Sequence, residues 1–176
     1  MNQETNRIIQ NALEAPPNYS EEFAVWVEEV AAAIAARLGV NVEHNSDMNY
    51  SVAHQIVIKY DDDGHPAQPD KGYRYRLIVL LSSRGKLYTI VVYRRTDVGC
   101  DYREYGLPSA GTYHLRFDYR EQEGIQSSLE SIRGVLQNVD VHEVDPDYLN
   151  EYVPGKVTEM DGVPATLFQV LFSELV

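Results

Sequence analysis

The run GYRYRLIVLLSSRGKLYTIVVYRR, from Gly72 to Arg95, decides the fold of this chain. Two segments rich in β-branched and aromatic residues flank Ser82-Ser83-Arg84-Gly85, and a glycine there can take the positive φ that a tight hairpin turn demands. Side chains alternate along a strand, so Tyr73, Tyr75, Leu77, Val79 and Leu81 share one face. A two-residue turn keeps the parity and adds Tyr88, Ile90, Val92 and Arg94 to that face, which makes it a core face. The opposite face collects Ile78, Leu80, Leu87 and Val91 near the turn, but Arg74, Arg76, Tyr93 and Arg95 at the open end. Burying one Leu, Ile or Val contributes roughly 1.5–3 kcal/mol. The four apolar residues on the second face therefore require a helix or a partner over them.

Outward from the hairpin, Val52, His54, Ile56, Ile58 and Tyr60 alternate as a preceding strand, and Asp61-Asp62-Asp63-Gly64 turns the chain. Three antiparallel strands follow from this. Tyr113, Leu115, Phe117 and Tyr119 read as a fourth, after a loop over Val98 to Thr112, and Val139 to Val144 as a short fifth. Helices flank these strands. Asn18, with Glu21 three residues on, predicts a helix N-cap, and the helix runs to Leu38 before Gly39, with Phe23, Val27, Val30, Ile34 and Leu38 as its buried stripe. Ile125, Leu129, Ile132 and Leu136 define a middle helix capped at Asn138, and Leu167, Phe168, Leu171, Phe172 and Leu175 a C-terminal one. Residues 145 to 164 read as irregular. The expected fold is α+β: an antiparallel meander of four to five strands packed by N-terminal, middle and C-terminal helices. Residues 1–17, interrupted by Pro16-Pro17, are expected as a flexible arm, and 18–176 as a single domain.

The 176 residues are 44% apolar and 24% charged, ordinary globular composition. The lone Cys100 excludes an internal disulfide and a cysteine-based metal cluster. The N-terminus lacks the basic start and apolar run of a signal peptide, and no segment approaches membrane-spanning length, so a cytoplasmic location without membrane association is expected.

Charge is unevenly distributed. Lys71 to Arg120 holds ten basic residues against four acidic, +6, so the rest of a chain of net charge −12 carries −18. Eight of the thirteen tyrosines fall in the same basic segment, placing an aromatic, cationic sheet within an acidic shell. That excess disfavours nucleic acid, because a field of this sign repels a polyanion.

Motifs that carry chemistry are absent: no G-x-S-x-G elbow, no Walker loop, no dinucleotide fingerprint, no C-x-x-C. The acidic run at Asp61 fails as a calcium loop, since Lys59 falls in the first ligand position, and the five histidines show no metal-ligating spacing. Neither a metal nor a cofactor is expected. His54 and His114 are candidate general bases, if a carboxylate were brought close.

Three functional expectations follow. The first is an acidic protein-binding module, an inhibitor or immunity-type protein of antitoxin character that neutralises a basic partner such as a nuclease or toxin, with Glu21, Glu22, Glu28, Glu29, Asp140, Glu143, Asp145 and Asp147 as candidate contacts. The second comes from architecture. The order helix, three-strand meander, helix, strand, helix, with an acidic balance, resembles the small dimeric chaperones of type III secretion, and this resemblance implies a homodimer through the N-terminal or C-terminal helix. The third is an enzyme or binding domain for a small phosphorylated or nucleotide ligand, gripped by Arg74, Arg76, Tyr93, Arg94, Arg95 and His114. The first ranks highest, which makes the protein more a binder than an enzyme.

Overall fold

The computed structural model describes residues 3–45, 52–67, 72–98, 101–105, 123–158 and 161–173. The central hairpin forms β3 (Tyr75–Ser82) and β4 (Leu87–Val98), preceded by β2 (Ala53–Tyr60) and the short β1 (Glu43–Asn45). The sheet runs β1-β2-β3-β4-β5, all antiparallel, with β5 at Asp101–Tyr105. Leu81 pairs with Tyr88, which centres the turn on Arg84-Gly85 and keeps the expected parity. Gly85 itself does not adopt a positive φ. Its small size matters differently, because a Cβ there would lie 3.4 Å from Ala12 on the first helix.

Alternation along β2, β3 and β4 feeds two separate cores. On one face, Ile56, Ile58, Leu77, Val79, Leu81, Ile90 and Val92 meet Val27, Val30 and Ile34 from α2 (Glu21–Leu38). Ile125, Leu129, Ile132 and Leu136 from α3 (Glu123–Asn138) complete that layer. On the other face, Ile78, Leu80, Leu87 and Val91 lie under Ile9, Ala12 and Leu13 of α1 (Gln3–Glu14) and under Val170, Leu171 and Phe172 of a C-terminal π-helix, Gln169–Ser173. Helices on both sides of one sheet make a three-layer α+β structure. The second apolar face of the hairpin is thus covered within the chain.

Several expectations change at this level. The first residues are not an arm: from Gln3 onward they form α1, and the amphipathic turn of Ile9, Ala12 and Leu13 buries itself on the open sheet face. The cap of α2 is Ser20, whose Oγ accepts from the Phe23 amide at 3.2 Å, while Asn18 accepts from the Ser20 amide. Gly39 ends the helix as expected, at φ 68°. After α3 the left-handed residue is Asp140, φ 58°, not Asn138.

Part of the expected loop over Val98 to Thr112 is strand, since β5 returns antiparallel along β4 and pairs Thr96 with Arg103. The expected strand over Tyr113 to Tyr119 lies outside the described residues. The short strand after α3 is β6 (His142–Glu143), and it runs parallel to β4, with Leu87 opposite His142. The stretch read as irregular holds a 3-10 turn, Pro146–Tyr148, and a two-stranded ribbon of β7 (Tyr152–Val157) and β8 (Pro164–Thr166). The C-terminal apolar run therefore begins as strand and turns helical only beyond Thr166.

One close approach fixes α3 against the sheet. A Cβ at Gly124, in the first turn of α3, would stand 2.1 Å from the carbonyl oxygen of Gly64, itself at φ 77° in the turn after β2. Only glycine lets that turn and the helix start come together.

Candidate functional site

The eight carboxylates expected to contact a partner divide into two sets of different character. Glu21, Glu22, Glu28 and Glu29 are all exposed on α2. Positions 21, 25, 28, 32 and 36 recur at three- and four-residue spacing, so they line the outward side of the helix, with 22 and 29 along its flank. Val25 stands among the four glutamates, 48% exposed, with exposed Ala32 and Ala36 beyond it. Glu21 and Glu22 have a structural reason to be there, because acidic residues in a first turn oppose the positive end of the helix dipole. Glu28 and Glu29 sit mid-helix with no basic residue three or four positions away. None of the four makes an ion pair among the described residues.

Of the second set, Asp140, Glu143 and Asp145 are engaged within the fold. Glu143 accepts two bonds from Arg133, at 2.9 and 2.8 Å, and a third from the Tyr88 hydroxyl at 3.2 Å. Burial, with that carboxylate beside it, pushes the Tyr88 hydroxyl far above its ordinary pKa. Asp140 pairs with Lys86 at 3.1 Å and His142 at 3.4 Å, and the hydrogen bond from Lys86 leads in holding its carboxyl below the usual carboxylate range. Asp145 caps the 3-10 turn by accepting from the Asp147 amide, and Asp147 is exposed. Asp140 and Glu143 thus hold β6 and the end of α3 against β4. Their partners Lys86, Tyr88 and Arg133 carry no local signal in the sequence, since the ion pairs join separate elements.

Arg74, Arg76 and Tyr93, at the open end of the hairpin, are also engaged. Arg74 meets Asp62 at 2.9 Å, and the Arg76 guanidinium lies over the ring of Tyr93, 5.2 Å from its centroid. Arg76 and Tyr93 are register partners, whereas position 94 pairs with Tyr75 on the adjacent face of the pleat. The register therefore does not bring Arg76 and Arg94 to one surface. Position 95 pairs with Glu104 of β5, and His114 lies outside the described residues. An open depression of about 420 Å³ sits at the C-terminal end of α2, lined by Ala35, Ala36, Val40, Asn41, Pro66 and Ala67. Among the described residues, Arg74, Arg76 and Tyr93 do not line it.

His54 is 3% exposed, with its ring stacked on His44 (5.9 Å, 15°) and tilted against Phe23. Burial lowers its pKa, and the neighbouring His44 adds to the effect. The acidic turn after β2 is closed by its own carboxylate, since Asp61 Oδ1 accepts from the amides of Asp63 and His65. Among the described residues, no three His, Cys, Asp or Glu side chains converge as a metal site would require. No described helix is long and apolar enough to cross a membrane.

The arrangement presents exposed carboxylates, acceptors for lysine and arginine. No protein-family model matches the chain, and no curated protein or solved structure is significantly similar to it.

Proposed function

We propose that this protein is an acidic binding module that neutralises a basic protein partner, in the manner of an inhibitor or immunity protein, and that it presents the outward face of α2 to that partner. The observation that carries this reading is the pair Glu28 and Glu29: exposed, mid-helix, without an ion pair among the described residues, and set beside exposed Val25. Carboxylates with no internal role beside an exposed apolar residue supply both parts of an interface, a contact centre and a charged rim. The net charge of −12 extends the effect by steering a cationic protein toward the surface. Asp140 and Glu143 fall away as contacts in this reading, because their charges are matched by Lys86 and Arg133.

The test is capture of partners from the native host by tagged wild-type protein and by the E21Q/E22Q/E28Q/E29Q variant, at low and at high salt. The expected result is a basic protein that wild type retains at low salt, releases as salt rises, and that the variant does not retain. Retention by the variant at wild-type levels, or recovery of nucleic acid in place of protein, would sink the reading.

A further inference from the structure

The ribbon of β7 and β8 carries a second surface. Tyr152 pairs with Thr166 and Val157 with Pro164. Residues 164 and 166 stand two apart on β8 and so share a face, which places Tyr152 and Val157 on one face although they stand five apart on β7. A regular strand would set them on opposite faces. The irregularity between them, where Gly155 adopts φ 77°, takes up the odd count.

Three residues of that face are apolar and turned to solvent, Tyr152 at 68%, Val157 at 52% and Pro164 beside them, whereas Thr166 opposite Tyr152 is 8% exposed and donates its hydroxyl to Gln169. Val153, between them, instead packs into the second core and ties the ribbon to the body. Exposed carboxylates stand at both ends, Asp147 and Glu151 before Tyr152, and Asp161 in the connection after Val157. None of these three makes an ion pair among the described residues.

We infer that this face docks an extended segment of a protein partner, apolar at its centre and rich in lysine or arginine at both ends. The inference rests on the reading of a basic partner given above and adds a second contact, apart from α2. Tyr152 and Val157 lie opposite residues two apart on β8, so roughly 7 Å separates them along the ribbon, the spacing of alternate side chains on an extended strand. An extended segment sets alternate apolar side chains on Tyr152 and Val157 while its terminal cations reach the carboxylates. A helix would need about twice as many residues for that reach, at roughly 1.5 Å each. Tyrosine suits the central position, because its ring supplies a large apolar contact with a polar tip.

The experiment titrates the full chain with the peptide Lys-Lys-Val-Thr-Val-Thr-Val-Lys-Lys, followed by amide chemical shifts. The expected shifts centre on residues 151–157 and 161–166, and affinity falls with added salt. The Y152S/V157S variant, altered only at exposed positions, binds about tenfold more weakly, while E21Q/E22Q/E28Q/E29Q binds as wild type does. Shifts confined to α2 and loss in the glutamate variant alone would overturn the ribbon site and leave the α2 reading standing. Equal binding of a peptide with glutamate in place of each lysine would remove the charge matching the inference needs. A wild-type dimer in sedimentation that Y152S/V157S converts to monomer would assign the face to a second copy and also overturn it.

Discussion

The Arg84 guanidinium donates through Nη1 to the carbonyl of Ala15 at 2.7 Å, so the tip of the central hairpin holds the end of the first helix. Arg84 is 9% exposed, and burial lowers its pKa from the ordinary arginine value. Next to it, the Ser83 carbonyl accepts from the Asn18 amide at 2.8 Å. The turn therefore grips the whole connection between α1 and α2. Replacing Arg84 with methionine keeps the apolar length and removes the charged donor. Urea unfolding of R84M is expected to show a loss of about 1.5–3 kcal/mol, with faster amide exchange over residues 3–14. Unchanged exchange there would mean that apolar contacts alone hold α1.

The two glycines within α3 predict opposite outcomes. At Gly124 a methyl group would meet the Gly64 carbonyl oxygen at 2.1 Å, whereas nothing lies within 4 Å of a Cβ at Gly134. G124A is expected to cost roughly 1–3 kcal/mol through the forced shift of the helix start. G134A is expected to gain about 0.5–1 kcal/mol from helix propensity. Thermal melts of both variants check the pair, and a stabilised G124A would contradict the close approach.

His54 gives the fold an acid sensitivity of definite sign. Its pKa in the folded state lies below the ordinary 6.5, because burial and then His44 disfavour the imidazolium. The unfolded chain therefore binds more protons just below that value. The neutral ring's contribution is complete above pH 6.5 and declines as pH falls through it toward the folded pKa, by at most about 1.4 kcal/mol per pH unit for one proton. Urea midpoints measured from about pH 7.5 down to about pH 5.5 should fall more steeply for wild type than for H54Q. Parallel curves would refute this.

Glu143 should matter to the fold and not to the partner. Its bonds to Arg133 and Tyr88 join β6 to α3 and β4, but Arg133 is partly solvated, which limits the pair's worth. E143Q is expected to lose up to about 1 kcal/mol of stability while retaining the captured basic protein at the wild-type level. A variant of normal stability that no longer bound that protein would return Glu143 to the interface.

How much of this is legible along the chain follows from the range of each interaction. The alternation of Tyr75, Leu77, Val79 and Leu81 names the first core face by periodicity alone, and Ile78, Leu80, Leu87 and Val91 announce a second face in need of cover. Gly39 as a helix stop and the helical stripes of α2 and α3 are equally readable, since each depends on neighbours within a few residues. The N-cap falls on Ser20 and not on Asn18 because both residue types cap well and only the chain's direction after Pro17 selects one.

The α+β class, the two-sided sheet and the acidic excess all follow from residues close along the chain, because periodicity and charge are local properties. What lies over each face, which carboxylates are matched, and which face of the ribbon looks outward emerge only when distant elements meet. α1 covers the second core with the C-terminal segment, Arg133 reaches Glu143, and the bulge at Gly155 aligns Tyr152 with Val157. Each depends on pairing between separate elements or on one backbone angle, and neither is written in local spacing.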